Sequence, residues 1–282
     1  MQVVPDEVRK CVAFILCKTD EGMTIRGTAF FVSVPFESVT EQLFIYLITA
    51  KHVIDKISQV SVDQKVYIRL NTKENGAQVI QSNLSDWKFH PDDDVHVDAA
   101  AIGWAPSQSI FDYKTIPLSM AVTDEVVTKE QIGAGDEVFL TGLFHKQYGN
   151  QKNLPIIRTG SIAMMPEEPI YTTGFGTIEA YLVEARSIGG LSGSPVFVYM
   201  GHMRAKNGNI SFGGGSQLFY WLGLMHGHWD IEERQIDSVE SNGNIHVNMG
   251  IGIVVPVTKI IELINQEDFM QQRQQVVDEN KK

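Results

Sequence analysis

Short apolar segments separated by turn residues fill most of this chain, and helical periodicity is scarce. Near the N-terminus, residues 11–17 and 28–34 are two such segments, and Asp20-Glu21-Gly22 forms a turn between them. Apolar runs of this length, bounded by glycine and acidic residues, are typical of antiparallel sheets. Further strands are expected at residues 43–50, 66–70, 77–80 and 99–104. The pattern predicts an all-β barrel or sandwich.

The second half of the chain repeats this pattern after residues 106–127, which show no clear period and are interpreted as a connector. Six more strands are expected, at residues 137–142, 156–163, 177–184, 194–200, 218–225 and 251–255. The intervening loops 145–155 and 201–216 are rich in Gly, Asn, Lys and Gln, so we expect them to be mobile and solvated.

The C-terminal tail is the one convincingly helical segment. Ile260, Ile261 and Ile264 recur at spacings of three and four, and Thr258 stands where a helix N-cap would lie. We expect a single helix here that packs on the second half of the chain.

The composition of the chain limits the classes of molecule that it is expected to bind. The formal net charge of −11 argues against nucleic acid or an anionic membrane as the main partner, because both require a basic surface. No apolar run is long enough to span a bilayer, and the N-terminus lacks the layout of a signal peptide, so we expect a cytoplasmic protein. The oligomeric state is left open.

The number and spacing of the cysteines are consistent with a cytoplasmic protein. Cys11 and Cys17 are the only two, and on one strand they would lie about 20 Å apart, too far for a disulfide. We expect both to be small core residues. No histidine or cysteine spacing typical of zinc sites is present nearby, so neither a metal nor another cofactor is predicted.

The chemistry is expected at the stretch Gly189–Phe197, in which Ser192 stands between glycines and precedes Pro195 and an apolar strand. A hydroxyl on such a turn is accessible to a substrate. Serine is a weak nucleophile until a base removes its proton, and the base needs a carboxylate to fix its tautomer.

Two other residues suit those roles. His52 follows the apolar strand that ends near Ala50, and Asp98 directly precedes the apolar run 99–102. A carboxylate in that position is expected to be partly buried, and a buried charge needs a hydrogen-bonding or oppositely charged partner. The alternatives to Asp98 are His90 and Asp92-Asp93-Asp94, which lie in a polar stretch suited to a solvated loop.

Five segments in chain order resemble the successive motifs of chymotrypsin-fold serine proteases, most closely the bacterial trypsin-like peptidases of the high-temperature-requirement type. They are Gly27–Val32, Thr49–Val53, Asp98–Ile102, Gly190–Pro195 and Gly250–Pro256. The resemblance implies two six-stranded antiparallel β-barrels packed side by side, followed by a C-terminal α-helix. The implied divisions are an N-terminal barrel at 9–105, a connector at 106–127, a C-terminal barrel at 128–256, and a helix and tail at 257–282.

The resemblance also implies roles for these residues. His52 would act as general base and acid, Asp98 would orient it, and Ser192 would attack the scissile carbonyl. The backbone N–H groups of Gly190 and Ser192 would form the oxyanion hole. Leu191 stands where digestive members carry an aspartate, so activation through a freed amino terminus is not expected, and too few residues follow Pro256 for a peptide-binding domain.

The walls of the specificity pocket are expected just before the serine and on the strand that leads to residue 228. The candidate liners are Arg186, Met225, His226 and His228. An arginine or histidine there would favour an acidic or polar substrate side chain, and Met225 an apolar one. Alternatively, Arg186 faces solvent and pairs with Glu184.

The predicted function is therefore a serine endopeptidase that acts on a protein or peptide through an acyl-enzyme. Two alternatives stay open: a protease-fold module that binds peptides without cutting them, and a hydrolase of small esters.

Overall fold

The computed structural model describes most of the chain, and the account below is confined to the described residues. These are residues 4–36, 39–91, 96–172, 175–185, 190–201, 203–206, 209–212, 218–232 and 246–280.

The N-terminal half is an eight-stranded sheet. Its strands are β1 (Val12–Thr19), β2 (Gly22–Phe36), β3 (Val39–Thr49), β4 (Lys65–Asn71), β5 (Ala77–Asn83), β6 (Lys88–Phe89), β7 (Ala100–Gly103) and β8 (Ile116–Pro117). The pairing order is β5-β4-β1-β2-β3-β7-β6, and β8 pairs with β2 in parallel.

The predicted closure of this sheet into a six-stranded barrel is not found among the described residues. The two ends of the pairing path, β5 and β6, are joined by a short 3₁₀ turn at Leu84–Asp86. Asp86 accepts the backbone N–H of Asn83 and so fixes the turn directly after β5. The strand β6 contains only two residues, and it pairs with β7 and not with β5.

The C-terminal half contains the predicted closed barrel of six strands. In pairing order these are β10 (Ile156–Met164), β13 (Tyr181–Glu184), β18 (His246–Pro256), β17 (Phe219–Glu232), β14 (Pro195–Tyr199) and β9 (Glu137–Gly142). All six segments expected from the sequence contribute strands to this barrel. Two hairpins lie outside it, β11 (Ile170–Thr172) with β12 (Gly176–Ile178), and β15 (Met203–Lys206) with β16 (Asn209–Phe212).

The tail forms two helices where the sequence predicted one. The helices of the chain are α1 (Asp6–Lys10), α2 (Lys51–Val60), α3 (Asp124–Glu130), α4 (Val257–Ile264) and α5 (Glu267–Asn280). The expected packing of the tail on the second half is found for α4, which contacts β17 and β18, and α5 also reaches the N-terminal sheet, where its Phe269 contacts Tyr46 of β3 edge-on. No helix within the described ranges is both long and apolar enough to cross a membrane.

The two halves share one hydrophobic core, in which Phe30 of β2 packs edge-on against Trp221 of β17. Cys11 and Cys17 are buried and free, as predicted. Burial also raises the pKa of the Cys11 thiol, which leaves it protonated and unreactive.

The loop at 145–155 is anchored to the N-terminal sheet, which corrects the expectation that it is mobile. The guanidinium of Arg69 on β4 donates to the carbonyl oxygens of Gly149 and Asn150 and to the side chain of Asn153, at 2.8 to 3.0 Å. Asn153 in turn donates to the carbonyl of Arg69 at 2.7 Å. Because these polar groups satisfy one another, the loop can be buried at this point.

Candidate active site

His52 is positioned by the start of α2. β3 ends at Thr49 and α2 begins at Lys51, so the backbone N–H of His52 lies in the first helical turn. N–H groups at this place have no partner inside their own helix. The carboxylate of Asp98 accepts this one, with 2.8 Å between the His52 nitrogen and Oδ1.

Strand register brings Asp98 to this helix. β7 pairs antiparallel with β3, and Ala100 lies opposite Thr49. The segment just before β7, which contains Asp98, therefore lies beside the segment just after β3, which contains His52. Oδ2 of Asp98 lies 2.7 Å from Nδ1 of His52. The structure thus brings together the two side chains that the sequence predicted as base and orienting acid.

A second imidazole binds the same carboxylate oxygen. Nδ1 of His226, on β17, lies 2.5 Å from Oδ2 of Asp98. The sequence placed His226 in a substrate pocket and did not connect it with Asp98. A strand with two histidines, His226 and His228, carries no local signal for such a contact, because Asp98 is 128 residues away from His226.

The electrostatics of this group favour an ionised carboxylate. Burial alone would raise the pKa of Asp98, but the nearby charge of His52 and the hydrogen bonds from His226 and His52 outweigh it and hold that pKa well below its usual range. Asp98 is only 1% exposed, so water contributes little to this balance.

The alternatives to Asp98 are placed elsewhere or not described. Nε2 of His90 lies 2.9 Å from the carboxylate of Glu262 on α4, so this histidine is paired with a different acid. Asp92, Asp93 and Asp94 lie outside the described residues.

Ser192 is held next to α2 by contacts with β2. The backbone N–H of Thr28 donates to the carbonyl of Ser192 at 3.0 Å. At Gly193 the backbone comes so close to Ala50 that an added Cβ would lie 3.1 Å from its nitrogen. The loop therefore lies beside the first turn of α2. Attack by the Ser192 hydroxyl stays a prediction.

Two neighbours of Ser192 in the loop, Leu191 and Ser194, are both buried in the core. Leu191 is fully buried in the shared apolar cluster, where an aspartate would need a charged partner. Ser194 is also fully buried, and its hydroxyl occupies the place that a side chain at Gly142 would take, 1.9 Å from an added Cβ. The absence of a side chain at Gly142 makes room for Ser194.

The two residues of the predicted oxyanion hole differ in exposure, since Gly190 is buried and Ser192 is partly exposed. Gly190 has a φ of +101°, a left-handed conformation that favours glycine, and its carbonyl accepts the hydroxyl of Thr28 at 2.9 Å. Within the described part of the chain, the N–H groups of Gly190 and Ser192 have no hydrogen-bond acceptor. Their role as oxyanion donors stays a prediction that this geometry permits.

His145 packs against Gly190, a contact that the sequence did not predict. An added Cβ at Gly190 would lie 2.2 Å from Cδ2 of His145. Burial, together with the charge of Arg26, lowers the pKa of His145. The anchored loop at 145–155 thus brings a neutral imidazole beside the turn that carries Ser192.

An aromatic ring packs against one side of both His52 and His226. Phe175, just before β12, packs edge-on against His226 at 4.4 Å and against His52 at 5.9 Å between ring centroids. His96 lies on the same phenyl ring at 5.6 Å, and burial lowers its pKa. Phe175 could not be predicted as part of the site from the sequence, because its hairpin lies outside the barrel.

The predicted pocket residues are placed unevenly. Met225 is fully buried in the barrel, and its backbone pairs with Gly193 and Ser194 of the serine loop. His228 lies further along β17, opposite Gly252. Arg186 lies outside the described residues. Contact of any of the four candidates with a substrate stays a prediction.

The group formed by His52, Asp98 and His226 also has the residue types of a metal site, and one ligand atom of each lies within 4.8 Å of the others. Ligand atoms around one zinc ion stand about 3 Å or more apart. Here both imidazole nitrogens lie within 2.7 Å of a single oxygen. Such distances fit a hydrogen bond from each imidazole nitrogen to the shared oxygen, and we assign no metal to the group.

Comparison with known proteins identifies the fold. No family model matches the sequence, and no curated protein is similar to it. The protease domain of MamO from Magnetospirillum magneticum, in its apo form, has a similar structure: TM-score 0.52 and 14% identity, over 92% of this chain and 98% of that one. The chain has the fold of the trypsin-like proteases.

Other solved structures of this trypsin-like type are more distant. The HtrA-type protease AlgW with a decapeptide matches at a TM-score of 0.49 and 13% identity, over 94% of this chain and 66% of that one. Deg5 matches at a TM-score of 0.49 and 14% identity, over 91% of this chain and 88% of that one. The structural match to the MamO protease domain confirms the resemblance found in the sequence at the level of the fold.

Proposed function

We propose that this chain is a serine endopeptidase that hydrolyses peptide bonds through an acyl-enzyme formed on Ser192. The observation that carries the proposal is the pairing of His52 with the buried carboxylate of Asp98, through both its ring and its backbone nitrogen. This pairing fixes the proton on Nδ1 of His52 and leaves Nε2 as the base.

In the proposed reaction, Ser192 attacks the substrate carbonyl while Nε2 of His52 takes its proton. His52 then protonates the leaving amine, and water hydrolyses the acyl-enzyme by the same route in reverse. Asp98 stays ionised and stabilises the imidazolium. The N–H groups of Gly190 and Ser192 bind the oxyanion. The N-terminal sheet supplies the base and acid, and the C-terminal barrel supplies the nucleophile.

The substrate is proposed to be a protein or peptide, and its side-chain preference is set by residues around the serine loop. A buried Met225 favours an apolar residue before the cut, whereas Arg186 or His228 at the pocket would favour an acidic one. A peptide-library cleavage profile measured on wild type, Arg186→Ala and His228→Ala separates the two. A profile that neither substitution changes contradicts the acidic preference.

The proposed activity is tested by incubation with casein and with a small p-nitrophenyl ester, followed by mass spectrometry of the peptide products. We expect wild type to release peptides, and Ser192→Ala to lose roughly 10⁴-fold or more of that rate. Ester hydrolysis without peptide release would favour the small-ester alternative. Binding of casein without any hydrolysis would favour the peptide-binding module.

A further inference from the structure

Asp98 accepts three hydrogen bonds, and two of them come from different imidazoles. Its Oδ1 takes the backbone N–H of His52, while Nδ1 of His52 and Nδ1 of His226 both bind Oδ2. An ionised carboxylate can only accept. Both histidines must therefore carry a proton on Nδ1, so His226 is a donor to the same atom that orients His52.

A β-bulge aims His226 at this carboxylate. In the pairing of β17 with β18, Met225 lies opposite Val254 and Gly227 opposite Ile253, so His226 is the extra residue between them. Bulges turn a side chain away from the regular alternation of a strand. The ring of Phe175, at 86° to that of His226, then packs against its side and restricts its rotation.

We infer that His226 is a positioning residue for the catalytic acid and does not line the substrate pocket. This inference rests on the proposed function. The side chain of His226 is buried, and within the described ranges its only hydrogen bond is to Asp98. Its Nδ1–H is one of two donors to Oδ2, and a variant without it would leave the buried carboxylate with hydrogen bonds from His52 alone among the described groups.

The test uses His226→Ala and His226→Asn, since an asparagine amide can replace the Nδ1–H donor. We expect His226→Ala to lower kcat about 10- to 100-fold with little change in KM, and His226→Asn to recover most of that loss.

A second readout does not depend on activity. The proton NMR spectrum of wild type should contain two low-field imidazole N–H signals, of which His226→Ala retains one and Ser192→Ala retains both. A change in KM alone for His226→Ala, or a single low-field signal in active wild type, would overturn the inference. Two signals in a protein that cleaves nothing would instead overturn the proposed function, and the positioning role with it.

Discussion

The backbone N–H of Thr28 donates to the carbonyl of Ser192 at 3.0 Å, so the N-terminal sheet directly holds the loop of the C-terminal barrel that carries the proposed nucleophile. The hydroxyl of Thr28 adds two bonds. It donates to the carbonyl of Gly190 at 2.9 Å and accepts the N–H of Leu143 at 2.8 Å. One buried threonine thus fixes both ends of the predicted oxyanion turn.

Replacement of Thr28 by valine keeps its shape but removes the hydroxyl. We expect the free energy of unfolding to fall by about 1–3 kcal/mol, because a buried carbonyl and a buried N–H lose their partner. The rate of peptide hydrolysis should fall as well, because Gly190 loses its anchor. The matched control is Thr24→Val on the same strand, whose hydroxyl, within the described ranges, forms a hydrogen bond only with the hydroxyl of Thr19. Equal effects of the two substitutions, by denaturant titration and activity assay, would contradict this role.

Gly193 allows the closest approach between the serine loop and the N-terminal sheet. Its φ is +84°, and an added Cβ would lie 2.1 Å from the carbonyl oxygen of Thr28. Gly193→Ala should therefore displace the loop and abolish activity. Gly22→Ala is the control, since Gly22 also has a positive φ but nothing lies within 4 Å of an added Cβ. We expect this control to lose about 1 kcal/mol of stability and to stay active. An active Gly193→Ala variant would show that the loop is not held as described.

Ser194 has a buried hydroxyl without a hydrogen-bond partner among the described residues. Ser194→Ala should leave the free energy of unfolding unchanged or raise it by about 1 kcal/mol, because an unsatisfied buried hydroxyl is costly. Ser33→Ala provides the contrast. The buried hydroxyl of Ser33 accepts that of Thr115 at 3.0 Å, so its loss should be destabilising. A Ser194→Ala variant that loses more stability than Ser33→Ala would indicate a partner for Ser194.

The lowered pKa of Asp98 links stability to pH. The folded protein binds a proton on this carboxyl less readily than the unfolded chain, so the stabilisation is fully present above a pH of about 4 and is lost as the pH falls below it. The difference in free energy of unfolding between wild type and Asp98→Asn should therefore shrink from pH 5 to pH 3, by up to about 1.4 kcal/mol per unit. A difference that stays constant over this range would mean that the pKa of Asp98 is not lowered.

The barrel and the His52–Asp98 pair could be predicted from the sequence for a physical reason. Glycines and polar residues bound each apolar run of the second half, so the runs mark strands directly. His52 and Asp98 are placed by the ends of paired strands, and strand ends are visible as the ends of apolar runs.

Other features could not be predicted, because they depend on contacts between residues far apart in the chain. The bulge at His226 follows from the pairing of β17 with β18, which a single strand does not reveal. The anchor between Arg69 and Asn153 joins residues 84 positions apart, and a loop rich in asparagine looks solvated until its partner is known. Closure of the N-terminal sheet was expected from the resemblance, and the turn after Asn83 is one that the resemblance did not indicate.

The central claim is that Ser192 is a nucleophile activated by His52, and covalent labelling tests it most directly. The protein is incubated with a fluorophosphonate probe and its intact mass is measured, for wild type, Ser192→Ala, His52→Ala and Ser194→Ala. We expect a single adduct on Ser192 in wild type and in Ser194→Ala, none in Ser192→Ala, and labelling that is slower by orders of magnitude in His52→Ala. An unlabelled wild type, or an adduct that persists in Ser192→Ala, would contradict it.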